Sequence, residues 1–210
     1  KKRNLRKRLY GRTKPGTLLR HKIPIKCESW EEIEPGHLEL DTVSHSGENS
    51  SGTFAYTLNL TDIASTWVET RSVLGKGEAT ILDAFRQIRA ALPFEALSID
   101  SDNGGEFINH HLWAYCQHQR IGFTRSRPYK KDDNAHIEQK NWTHVRKLIG
   151  WDRYDTPEAV QAMNELYGQE LRLYMNLFQP SVKLRERLRK GSRRTRRYDS
   201  PLTALDRLLQ

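Results

Sequence analysis

Acidic side chains stand at three well-separated places in this 210-residue chain: Glu39 with Asp41, Asp100 with Asp102, and Glu138 beyond a polar loop. Carboxylates gathered from distant segments, at strand ends and helix starts, build sites for hard divalent cations. Mg²⁺ takes oxygen ligands and leaves positions open for water and phosphate. Two such ions about 3.5 to 4 Å apart can activate an attacking oxygen and stabilise a leaving one. Residues i and i+2 of a strand face the same way, so periodicity leaves the choice within each strand pair open. Asp62 is a further candidate acid.

The elements that must position these acids follow from local pattern. His37 to Val43 reads as a strand, Gly47 to Gly52 as a polar loop, and Thr53 to Leu60 and Thr66 to Val73 alternate with period two. Three such strands with short polar connections predict an antiparallel meander. Ala79, Leu82, Phe85, Ile88 and Leu92 recur at helical spacing and stop at Pro93. A short strand over 95–100 then leads to Asp102-Asn103-Gly104-Gly105, followed by a helix over 108–119 and a strand over 121–124. After the loop from Arg125 to Asp133, a helix begins near Asn134, and a last one starts at Thr156-Pro157 and runs to about Leu177. The order βββ-α-β-α-β-α-α predicts an α/β fold, a mixed five-stranded sheet flanked by helices.

Charge is distributed unevenly. The chain carries +9 overall, yet residues 1–27 hold eleven Lys/Arg and no acid, and residues 183–197 hold nine Lys/Arg against Glu186 alone. An acidic body therefore lies between two basic arms, which suits a protein that holds a polyanion with its arms and does chemistry in its centre. Cations that neutralise phosphates release counterions, adding about −0.9 per contact to the salt slope on duplex DNA. Gly11, Pro15-Gly16 and Pro24 make the N-terminal arm read as an extended linker with at most a short helix. The expected divisions are a basic arm over 1–34, a core over 35–178 and a basic tail over 179–210.

No stretch reaches the ~20 apolar residues of a membrane helix, and the basic start lacks the apolar run of a secretion signal. Two cysteines, Cys27 and Cys116, build no disulfide framework, so a reducing, cytoplasmic setting is expected. Cys116 with His110, His111 and His118 is a weak candidate zinc set, since its spacing matches no finger pattern.

The runs His37-Leu38-Glu39-Leu40-Asp41-Thr42, Ser101-Asp102-Asn103-Gly104-Gly105-Glu106-Phe107 and Ser126-Arg127-Pro128-Tyr129 through Asp133-Asn134-Ala135-His136-Ile137-Glu138 resemble the catalytic core of retroviral-type integrases and bacterial insertion-sequence DDE transposases. Between Asp102 and Glu138 lie 35 residues, the D,D-35-E spacing of that family. The resemblance spans about 37–178 and implies a ribonuclease H-like fold, with Asp41, Asp102 and Glu138 as catalytic ligands of two Mg²⁺ or Mn²⁺ ions per site. Taken singly, Asp102-Asn103-Gly104 is an ordinary turn and Glu138 an ordinary solvated helix residue. Asp41 lies in an apolar strand, where an unpaired charge is costly to bury. Gln139 stands where many relatives have Arg, and Ala135 where Gly is frequent.

By resemblance, a metal-activated water cleaves the element's end, and the freed 3′-OH attacks target DNA. Candidate DNA contacts are Asn103, Gly104, Arg127, Tyr129, Lys130, Lys131, Lys140, Asn141 and Arg146, and Trp142 is the one tryptophan placed to stack on a base. Expected partners are element-end and target DNA and a second copy of the chain, in a homodimer or larger working complex. Two alternatives remain open. One is a ribonuclease H-like nuclease that joins nothing and needs Asp62 or Asp100 as a fourth carboxylate. The other is a DNA-binding protein whose acids are a relic.

Overall fold

The computed structural model describes residues 15–26, 34–127, 135–191 and 193–210. Its centre is a five-stranded sheet, β1 (His37–Ser44), β2 (Ala55–Asp62), β3 (Val68–Leu74), β4 (Ser98–Ser101) and β5 (Gly122–Arg125), in the order β3-β2-β1-β4-β5. β1 to β3 run antiparallel, as their period-two pattern predicts, while β4 and β5 add in parallel. Parallel neighbours need a crossover, and the helices supply it. α2 (Glu78–Ala91) links β3 to β4, and α3 (His110–Gln119) links β4 to β5. α3 starts where the Asn109 side chain accepts the Leu112 N–H, and ends at Arg120 in a left-handed conformation.

One sheet face is apolar. Leu38, Leu40, Leu58, Leu60, Ile99 and Phe123 pack with Ile81, Phe85 and Ile88 of α2 and Leu112 and Cys116 of α3. Each fully buried side chain of this size contributes about 1.5–3 kcal/mol. The same core takes in Leu19 and Ile23: the N-terminal arm holds the short helix its sequence allowed, but that helix packs on the body and is not free linker. α1 (Pro15–Lys22) docks on the body, and Ile25 then bridges Arg125 in parallel at the sheet edge. Two apolar residues one helical turn apart suffice to anchor the helix, although its exposed charges dominate the composition.

The other face is covered by one long helical run. α4 (Ala135–Lys140) continues through a π-helical stretch, Asn141–Arg146, into α5 (Lys147–Ile149). α6 (Pro157–Leu166) begins at the expected cap, Thr156 accepting the Ala159 N–H. The single helix expected to about Leu177 instead passes into π-helical stretches Tyr167–Leu171 and Tyr174–Phe178. The region expected as a tail is also folded, as an antiparallel hairpin of β6 (Leu184–Lys190) and β7 (Arg193–Tyr198) followed by α7 (Ala204–Leu208). Thr203 and Asp206 cap α7 reciprocally, and Ala204 is buried.

Candidate active site

Asp41 lies on β1 with Asn59 of β2 on one side, and its neighbour Leu40 pairs with Ser101 of β4. Asp102 follows β4 directly, so the parallel pairing sets it beside Asp41, in the middle of β1. Burial pushes Asp41 up to about 6 despite a hydrogen bond from the Thr42 N–H, and the nearby carboxylates of Asp102 and Glu106 push the same way. Burial also raises Asp102, against a 2.8 Å hydrogen bond from the Gly104 N–H. Gly104 leaves room for these carboxylates, because a Cβ there would lie 2.8 Å from Asp102 Oδ1 and 2.9 Å from Glu106 Oε2 and would displace them.

Sequence reasoning passed over Glu106. The turn Asp102-Asn103-Gly104-Gly105 folds it back, and its Oε1 accepts from Thr42 Oγ1 at 3.2 Å while Lys76 Nζ stands 3.8 Å from Oε2. The available signal was an acid four residues after Asp102 within a glycine turn.

Glu138 is exposed, on the turn of α4 between two residues tied to β1. The Ile137 N–H donates to Glu39 Oε2 at 2.9 Å, and Asn141 Nδ2 donates to Asp41 Oδ2 at 2.7 Å. Asn141 also accepts from Asn59 Nδ2 at 2.8 Å, which completes a chain from β2 through the helix to Asp41. Among the described residues no three His, Cys, Asp or Glu side chains are gathered closely enough to hold a metal ion as they stand. The donor chemistry fits a hard cation in part. Asp41, Asp102 and Glu106 crowd like charges that a divalent ion would relieve, and Glu138 sits one helical turn before the residue that holds Asp41.

Glu39 is almost fully buried beside Asp100, and burial pushes it up to about 7 although the Ile137 N–H and Lys26 favour its charge. It acts as the anchor of the helix that carries Glu138. Asp100 accepts from Thr124 Oγ1. Asp62 pairs with Leu38, on the opposite sheet face from Asp41, its oxygens taken by the Gly36 N–H and by Ser65 N–H and Oγ at 2.6–2.7 Å. It shapes a turn and is removed from the candidate acids.

Several expected DNA contacts are engaged within the protein. Asn103 donates to the Ser126 carbonyl at 2.9 Å and accepts from Arg125 Nη1 at 3.0 Å, and its carbonyl accepts from Arg20. Arg146 stacks on Trp151, 4.1 Å from the ring centroid. Lys140 is half-buried, and burial lowers it to about 8, with Arg207 adding to the effect. Asn141 holds Asp41, as described above, and Gly104 makes room for Asp102. Arg127 is exposed. Tyr129, Lys130 and Lys131 lie outside the described residues. Trp142 is 53% exposed. For the zinc set, Cys116 is fully buried in the core while His110, His111 and His118 face solvent, so the helix separates them.

Residues 31–131 match the family model of the integrase core domain. The sheet order and helix placement are those of the ribonuclease H-like integrase core. The catalytic core domain of BIV integrase superposes with a TM-score of 0.51 at 14% identity, covering 70% of this chain and 87% of that one. A chain of the simian T-cell lymphotropic virus intasome in complex with PP2A regulatory subunit B56 gamma gives 0.53 at 14% identity, covering 74% of this chain and 53% of that one. These two likenesses concern the fold. The uncharacterized protein y4rM of Sinorhizobium fredii is 41% identical over 190 residues, which is 90% of this chain and 54% of the relative. The chain thus spans about half the length of that relative. Fold and family match point the same way: residues 31–131 resemble the integrase core domain, and the sheet has the fold of an integrase catalytic core.

Proposed function

We propose that this chain is the catalytic part of a DNA transposase or integrase that cleaves element ends and joins their 3′-OH to target DNA. One observation carries the reading: Ile137, just before Glu138, and Asn141, about one turn after it on the same helical run, are hydrogen-bonded to the strand that bears Asp41. Asp41, Asp102 and Glu138 would hold divalent ions, Mg²⁺ or Mn²⁺, and these would supply charge neutralisation at phosphorus and a more acidic water. Asn141 orients Asp41 by donating to one carboxylate oxygen, leaving its other lone pairs to a ligand. Glu39 fixes the helix start, and Gly104 lets the Asp102 turn close tightly. Both reaction steps are in-line displacements, so the chain's work is positioning and electrostatics. DNA ends and target are the proposed substrates, with at least two copies of the chain in the working complex. Among the described residues no helix is long and apolar enough to cross a membrane.

Incubating the chain with labelled donor ends, a plasmid and Mg²⁺ or Mn²⁺ tests this. Joined products are expected, and they should vanish in Asp41→Asn, Asp102→Asn and Glu138→Gln while binding persists. The presence of Glu106 beside Asp102 favours one second reading, a nuclease with four carboxylates. Cleaved ends without joined products, lost in Glu106→Gln, would establish that reading instead. DNA binding without cleaved or joined products, unchanged in all three variants, would leave a DNA-binding protein.

A further inference from the structure

The hairpin of β6 and β7 is built against its own charge. Its register sets Arg187 opposite Arg196, Arg189 opposite Arg194 and Lys190 opposite Arg193. Like charges directly across a ladder destabilise it, and here three of the six pairs are alike. Residues 184–198 contain eight Lys/Arg and one acid. Among the described residues, two long ion pairs involve the ribbon's arginines, Arg197 to an exposed Glu186 at 3.6 Å and an exposed Arg185 to Asp199 at 4.0 Å, and pairs on exposed arginines contribute little. By alternation, positions 187, 189, 194 and 196 share one face.

The root of this ribbon is firmly held. Ser181 and Leu202 exchange backbone hydrogen bonds, and Asp199 accepts the Lys183 N–H at 2.6 Å and Arg207 Nη1 at 2.6 Å. Lys183 Nζ donates to the Ile63 and Ala64 carbonyls at the turn after β2. A rigid root carrying a ribbon of self-repelling cations is a device for presenting charge. It serves neither the core nor the carboxylate site, since residues 185, 186, 188, 189 and 195–198 are all exposed.

We propose that the β6–β7 ribbon is a duplex-DNA-binding element that bridges phosphates across a groove. This rests on the proposed function for the choice of DNA as the polyanion. Seven residues of β6 extend about 24 Å at ~3.4 Å per residue. The B-form major groove admits a two-stranded ribbon, whereas that of A-form RNA is too deep and narrow for side chains to read. Phosphates lying between the opposed arginines would turn each repulsive pair into a clamp, and arginine suits bidentate contact with phosphate oxygens.

The test is binding of the full chain to a duplex of about 40 base pairs, over a salt series and with EDTA in place of divalent ions. Replacing Arg187, Arg189, Arg194 and Arg196 together with Gln should flatten the log–log salt slope by about 3 to 4. It should weaken binding on the order of a hundredfold near 0.1 M salt, equally on all sequences. The four Lys replacements should keep the slope. Double-stranded RNA of equal length should lose much less. The pair Arg189→Gln with Arg196→Gln alone, both exposed positions, should lower the slope by about 2 and serves if the fourfold variant misfolds. An unchanged slope in either Gln variant overturns the proposal, as does an equal loss on the RNA. Because no catalysis is read, a flattened slope without joined products would sink the proposed function alone, and joined products with an unchanged slope would sink the ribbon alone.

Discussion

The two faces of the sheet divide the labour of this molecule. Toward α2 and α3 it presents Leu38, Leu40, Leu58, Leu60 and Ile99; toward α4 and α6 it presents Glu39, Asp41, Thr57, Asn59, Thr61 and Asp100. Both faces are covered, so the polar one forgoes hydrophobic gain and also bears desolvation. Burial raises Asp41 to about 6 and Glu39 to about 7, and it lowers His45 to about 4 and His144 to about 3. Thr57 shows how the polar face is held together, since its hydroxyl meets His45 Nε2 and Ser72 Oγ at 2.8 Å. The lesson is that one face supplies stability while the other holds, at a cost, the groups that would do chemistry.

Exchanging substitutions between the faces should sharpen that contrast. The largest effect is expected for Asp41→Asn: strand transfer should fall on the order of 10³-fold, while the thermal midpoint without divalent ions should stay level or rise. A large drop in midpoint would mean that Asp41 belongs to the stabilising face. Leu60→Ala, at a fully buried position of the apolar face, should cost about 3 kcal/mol in denaturant unfolding. A cost below 1 kcal/mol would blur the distinction.

Stability against pH reports on the buried histidines. Their folded pKa values lie below the ordinary value, so the unfolded chain takes up protons first as pH falls. The contribution is complete above about pH 6.5 and is lost on going down toward pH 4, by about 1.4 kcal/mol per pH unit for each histidine. The raised carboxyls of Glu39 and Asp41 act in the opposite sense, so the clean observable is the difference between the wild type and His45→Asn. That difference should shrink steadily between pH 6.5 and 4; a constant difference would show that His45 is not held neutral.

The smallest effect separates the two uses of Glu39. Glu39→Ala leaves the Ile137 N–H without its acceptor and should cost about 1–2 kcal/mol, with slower turnover and unchanged DNA affinity. Glu39→Gln keeps an acceptor and removes a buried charge, so both stability and turnover should recover. Equal damage from the two would show that the negative charge, rather than the acceptor, is what matters.

The strands, their antiparallel and parallel parts and the principal helices were legible because period-two and period-3.6 patterns report which side of an element is covered. His37 to Val43 and the α2 repeat are the clearest cases, and Thr156-Pro157 marked its helix start to the residue. The docking of α1 and the C-terminal hairpin were hidden. Leu19, Ile23 and the strands of the ribbon sit within charge runs whose composition reads as solvated chain. Asp62 looked like its fellow acids, because a carboxylate that closes a turn and one that awaits a cation have the same one-letter code.

By itself, then, the sequence determined which residue types stand at which spacing: the carboxylates at 41, 102 and 138, the glycine turn between them, the alternation that builds the sheet and the two basic blocks. Tertiary structure alone decided which acids become neighbours, that Glu106 joins them, that Asn141 turns inward to Asp41, and that the last basic block is a rooted ribbon. The physical reason is range. Periodicity and turn chemistry act over a few residues and are written locally, whereas desolvation, like-charge crowding and cross-strand register exist only once distant segments share one small volume.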